Sequence, residues 1–352
     1  RGHQRWARGS MMRAFGLASA SAWVQPWVLG VLASLGGSFL GTLGVQFRIL
    51  ADSMSEHQGT NGSVDKAPGI IQAIRKVQCL RAVGWLSWII GQALGQVAIL
   101  LAPATIVACV TFSSALFWNT MLAPMVLRET LTKAHCTGVT MLSVGGVVVT
   151  LVAGDAVNKF RFSPLELKEL ALREQFFMPT GVLIGAACAV VARACYLKTL
   201  ESWGFSYVWA VVGAVDLTIT KSTLMMATSL AIDPKSASSP STTLMVTFSL
   251  LTVMLHLAVL AFQVASTRYA EALQNQPLFL ASGVMLQVAL CGNFFNEFRS
   301  FSQVHTLAFL IGFVVMMLGL FITSRAGELG ESDSCREPLL CRDSERLRKT
   351  RK

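Results

Sequence analysis

Few residues in this chain have the chemistry for a site, and most of them sit where charge is costly. Asp216 and Lys221 lie five positions apart inside one long apolar stretch, Arg193 near the end of another, and Glu297 just past a third. Gln92, Gln96 and His256 add amide and imidazole groups to further apolar stretches. Carboxylate and amide oxygens in apolar surroundings suit cation coordination or inter-helix hydrogen bonding. They do not resemble a catalytic constellation, because no G-x-S-x-G, phosphate-binding glycine loop or H-E-x-x-H occurs. His256 has no second His or Cys at ligand spacing, and the eight cysteines are scattered without a C-x-x-C. Cys109, Cys188, Cys195 and Cys291 read as small core hydrophobes, and Cys335 and Cys341 sit in the tail at positions compatible with palmitoylation. The expectation is a non-enzyme without a cofactor.

An ionised side chain in the middle of a membrane span is a functional-site hypothesis by default. Asp216 is the mid-span carboxylate, so it is taken as the contact on a substrate path and the tentative metal ligand. The competing reading is a structural pairing with Lys221 or Arg193. Five positions correspond to about 140° around a helix, so Asp216 and Lys221 do not share a face. Arg193 is read as snorkelling to the interface, Glu297 as an interface anchor or a path residue, and Glu129 as a helix-end charge. The path set is therefore Asp216, Gln92, Gln96, Lys221 and Glu297. Gln46, Asn119, His256, Gln263, Gln287 and Asn293 are read as hydrogen-bonding neighbouring helices.

The elements that hold these residues are nine apolar stretches, each about long enough to cross a ~30 Å hydrocarbon core. They cover approximately 28–47, 83–101, 104–127, 136–153, 179–197, 206–231, 244–265, 276–296 and 305–323. Mean hydropathy is +0.56 and charged residues are 14% of the chain, against roughly 25% in soluble domains. The implied fold class is all-α, a polytopic membrane helix bundle in two related halves. Residues 28–153 carry four helices and 179–323 carry five, separated by a connecting loop at 154–178 and flanked by an N-terminal segment, 1–27, and a charged tail, 324–352. Ala14 to Trp27 is interrupted by Gln25-Pro26, which argues against a cleaved secretory signal.

The net charge of +10 comes from loops and termini and has no aromatic interleaving, so nucleic acid is not an expected partner. The expected partners are the lipid bilayer and a transported solute, with the oligomeric state open. A loop is expected over 48–82, with a short surface helix around Ile70, Ile71, Ile74 and Val77. With nine spans and a cytoplasmic C-terminus, 17 Lys/Arg fall inside and 10 outside, which favours that orientation. The sequon Asn61-Gly62-Ser63 then lies in the cytoplasm.

Gly91 to Thr105 joins the second and third spans almost without a loop, which predicts a helical hairpin pinned by Pro103 between Ala102 and Ala104. Gly91, Ala102, Pro103 and Ala104 are accordingly packing residues, and Gly138, Gly145 and Gly146 mark close packing in the fourth span. "APATIV" at this joint, "LRETL" after the third span, Gly213 to Lys221, Arg268 to Leu273, Pro277 and Phe294 to Glu297 together resemble the NIPA-type magnesium transporters of the drug/metabolite transporter superfamily. The resemblance covers about residues 28–325. It implies transport of Mg²⁺ or a related divalent cation by alternating access, in the plasma or endosomal membrane, and a ten-helix superfamily pattern with one helix fewer here.

One departure bears on the cargo. Aligned on Ala102-Pro103-Ala104, the family's acidic residue falls at Gln92 and its Asn at Gly95, so a carboxylate and an amide are missing. Mg²⁺ favours one or two carboxylates and retained waters. Two alternatives stay open: a carrier of a small organic metabolite, and a non-transporting membrane scaffold whose tail binds partners.

Overall fold

A computed structural model describes residues 25–60, 67–127, 131–156, 164–197, 202–232, 239–269 and 272–334, with side chains undescribed in short stretches at some helix ends. Every regular element among them is helical: α1 Pro26–Thr60, α2 Ala67–Leu101, α3 Ala104–Leu122, α4 Lys133–Ala156, α5 Pro164–Ala171, α6 Glu174–Leu197, α7 Ser202–Ile232, α8 Ser239–Tyr269, α9 Ala272–Phe294 and α10 Gln303–Ser334. Helices are the expected outcome, because a spanning segment must satisfy its backbone hydrogen bonds internally.

Among the described residues, eight helices are long and apolar enough to cross a membrane. The remaining stretch, 276–296, corresponds to α9, a helix of 23 residues that includes the apolar segment Leu280–Phe294. The chain is an α-helical, multi-pass membrane protein.

The structure corrects several sequence boundaries. The 48–82 loop is largely helix, since α1 continues to Thr60 and α2 begins at Ala67. Each of these helices has 35 residues, roughly 52 Å of rise, so both extend well beyond the hydrocarbon. The surface helix around Val77 is simply the first part of α2, with Val77 itself buried. Hydropathy detects the edge of the lipid, and helical backbone continues past that edge. Likewise the 154–178 connection contains α5, which buries Leu167 and Leu170, and α6 starts at Glu174 with Pro179 inside it. The last candidate span ends at Arg325, and helical backbone continues from it to Ser334.

Small residues set the helix pairs. On α1, Gly30, Gly37 and Gly44 recur every seven residues and face Ala102, just past α2, and Gly91 and Gly84 of α2. A Cβ on Gly37 would stand 2.8 Å from the Gly91 carbonyl, and one on Gly44 would stand 2.5 Å from that of Gly84. Backbones this close leave no room for a side chain, and van der Waals contact takes over where lipid removes the hydrophobic drive. The same device pairs α4 with α10. Gly138 faces Gly319 and Gly145 faces Gly312, again at seven-residue spacing, and both pairs run antiparallel.

The joint at Ala102-Pro103 does reverse the chain, but α2 and α3 are not packed along each other as a hairpin pair. α1 lies against both. It runs parallel to α3 through Ser34 Oγ to Thr111 Oγ1 at 2.7 Å, Ser38 Oγ donating to the Thr111 carbonyl at 3.1 Å, and Gln46 Nε2 donating to Asn119 Oδ1 at 2.9 Å. A similar arrangement recurs later in the chain. α7 runs parallel to α9, with Thr218 Oγ1 3.2 Å from Cys291 Sγ, and antiparallel to α8, with Thr223 and Thr252 hydroxyls 3.0 Å apart. α6 and α8 expose apolar side chains such as Phe177, Val182, Leu250, Met254 and Leu257, as surfaces in lipid do.

Candidate functional site

Two polar clusters lie along α7, separated by little more than one helical turn. The first is centred on Lys221, which is 3% exposed although it carries a charge. Its Nζ donates to Glu297 Oε1 at 3.0 Å and to the Ala102 carbonyl at 3.4 Å, and sits 4.7 Å from the Phe295 ring centroid. Glu297 also accepts from the first amides of α3: Ala104 N–H to Oε1 at 2.9 Å, and Thr105 N–H to Oε2 at 3.0 Å. The Thr105 hydroxyl donates to Oε2 at 2.5 Å. Pro103, the residue before α3, provides no side-chain cap, so a carboxylate nearly 200 positions away does the capping and meets the positive end of the helix dipole. It gets there because Asn296 adopts a left-handed conformation, φ 53°, at the end of α9. Asn tolerates this region better than most residues.

The second cluster is more open. His256 Nδ1 on α8 lies 2.8 Å from Asp216 Oδ1 on α7, and shares its proton with the Thr252 carbonyl at 3.2 Å. Gln96 Nε2 on α2 donates to His256 Nε2 at 3.1 Å, and the Thr220 hydroxyl donates to Asp216 Oδ1 at 3.4 Å. The His256 side chain is 39% exposed and that of Asp216 13%. Gln96 Oε1 is buried without a hydrogen-bond partner. Among the described residues, Asp216 has no Lys or Arg partner, and no three His, Cys, Asp or Glu side chains cluster as a metal site.

No protein family, curated protein or solved structure matches the chain. Its chemistry therefore has to be argued from these residues.

Of the path residues expected from sequence, Lys221 and Glu297 meet each other, and Asp216 and Gln96 meet through His256. Gln92 stands apart, exposed on α2. Glu297 is 5% exposed and fully engaged, so it is not an interface anchor. Arg193 is exposed on α6, and the pairing of Asp216 with Lys221 or Arg193 does not form. Gly91 packs against Gly37 and Gly41, Ala102 against Gly30, and Ala104 supplies an amide to Glu297. Glu129 lies outside the described residues, as do the side chains of Gln263 and Glu271.

His256 is the residue that sequence reasoning undervalued. A signal was present: α7 ends at Ile232 and α8 begins at Ser239. Asp216 and His256 are almost equidistant from that connection, so two antiparallel helices bring them to one depth.

Proposed function

We propose that this protein is an alternating-access membrane carrier for divalent cations, related to the NIPA-type magnesium transporters it resembles. One observation carries the reading. Glu297 is neutralised by Lys221, which leaves Asp216 as the described mid-span carboxylate without a permanent cation beside it. A site holding one net negative charge in low dielectric favours cationic cargo.

The packing supports a two-halved carrier. α1–α2–α3 and α7–α8–α9 have the same pattern, an antiparallel neighbour and a parallel third helix. α4 and α10 then pair through equivalent glycines. Because the two triplets enter the membrane in opposite directions, they suit an inverted repeat, whose halves rock about a central site. Lys221 and Glu297 belong to the second half and cap α3 of the first, so their contact is suited to closing one face. With the tail cytoplasmic, as the Lys/Arg bias favours, the closed face is the outer one. The host membrane in this reading is the plasma or an endosomal membrane.

The test is flux in proteoliposomes holding the full chain. Asp216→Asn keeps shape and hydrogen bonding but removes the charge. It is expected to abolish divalent uptake with folded protein intact. Normal uptake in that variant would overturn the reading and favour a metabolite carrier.

A further inference from the structure

The partner of Asp216 carries an inference about the cargo that rests on the carrier reading above. We infer that the site between α2, α7 and α8 selects divalent cations that accept an imidazole ligand, the manganese, cobalt and zinc class, over magnesium. Mg²⁺ is hard, takes oxygen ligands in near-ideal octahedra and holds its waters, so it gains little from an imidazole. First-row transition ions gain from it in the Irving–Williams order. Here the nearest side chain to the carboxylate is an imidazole, with Nδ1 2.8 Å from Oδ1.

The spacing is compatible with chelation. Metal–nitrogen and metal–oxygen bonds of about 2.0–2.2 Å place two ligands on one ion roughly 3 Å apart. An ion on Nδ1 takes the place of the shared proton, and the Asp216 carboxylate turns aside to bind it from the flank. The Gln96 amide touches Nε2 on the other edge of the ring and so orients the imidazole towards Asp216. Thr220 Oγ1, beside the same carboxylate oxygen, is a third donor.

Two strong protein ligands with one hydroxyl oxygen form a weak site. That suits a carrier, which has to release its ion. The charged neighbours do not compete: Lys221 and Glu297 are engaged with each other, and Gln92, one turn before Gln96, contributes no charge. A purely architectural His256 would pin α8 to α7 in the same geometry and bind nothing, and the experiment separates the two.

The purified full chain is reconstituted, and uptake of Co²⁺, Mn²⁺ and Mg²⁺ is measured singly and in competition. In parallel, the detergent-solubilised protein with Mn²⁺ is examined by electron spin-echo envelope modulation, which detects nitrogen bound to the ion. Co²⁺ and Mn²⁺ are expected to half-saturate at concentrations about tenfold below Mg²⁺, with nitrogen coupling in the Mn²⁺ spectrum. His256→Gln should erase that coupling and raise the Co²⁺ half-saturation about tenfold or more, more than it raises that of Mg²⁺. Should that variant fail to fold, the native chain labelled with ¹⁵N-histidine shifts the coupling from ¹⁴N to ¹⁵N and decides the same point. Uptake of Mg²⁺ as tight as that of Co²⁺, or Mn²⁺ uptake without nitrogen coupling, overturns the cargo inference and leaves the carrier standing. Absence of any divalent uptake overturns the carrier reading and the inference with it.

Discussion

Lys221 and Glu297, both 4% exposed at the side chain, form an ion pair at 3.0 Å in which the carboxylate simultaneously caps the first turn of α3. Three segments, α3, α7 and the chain after α9, are joined at one point. The pair is therefore more than two charges that cancel, and this has consequences for substitution.

Glu297→Gln leaves a buried ammonium beside an amide that cannot neutralise it. The expected cost is about 3–5 kcal/mol, read as a fall in thermal stability of the detergent-solubilised protein. Lys221→Met in the same background should recover part of that loss, because the uncompensated charge is then gone. Strictly additive losses would mean the two residues do not act as a pair.

Exchange of the charges, Lys221→Glu with Glu297→Lys, should not restore stability. A simple ion pair survives reversal, but here a lysine at 297 would face the N–H groups of Ala104 and Thr105 and the positive end of α3. A melting temperature for the exchanged protein near that of the native chain would show that the cap contributes little.

Gly91→Leu and Gly145→Leu should each sharply lower folded protein at the membrane, since a Cβ at either site meets backbone of the facing helix at 2.7 Å or closer. Overpacking of this kind costs about 1–3 kcal/mol or more. Gly95→Ala is the internal control, because nothing lies within 4 Å of its added Cβ. Equal abundance of all three variants would remove the close helix approach from the account.

Orientation is tested by labelling. The Lys/Arg bias predicts that the tail is reachable only from the cytoplasm and that Asn61 stays unglycosylated. A glycan at Asn61 in intact protein would invert the bundle and move the Lys221–Glu297 contact to the inner face.

The sequence by itself determined the class of molecule. Apolar run length, the scarcity of charge inside the runs and the Lys/Arg bias depend on local composition against a bilayer of known thickness, so they are legible residue by residue. Gly138 and Gly145 could be recognised as packing positions for the same reason. Tertiary structure alone decided the partners. Glu297 and Thr105 are 192 positions apart, and Gln96 and His256 are 160 apart. No local pattern encodes which helices share a depth and a face. Asp216 looked like a member of a Lys221 pair or a lone ligand until α8 brought an imidazole to it. Helix ends were misplaced at 48–82 and 154–178 because hydropathy reports where lipid ends, whereas backbone hydrogen bonding continues into water at no penalty.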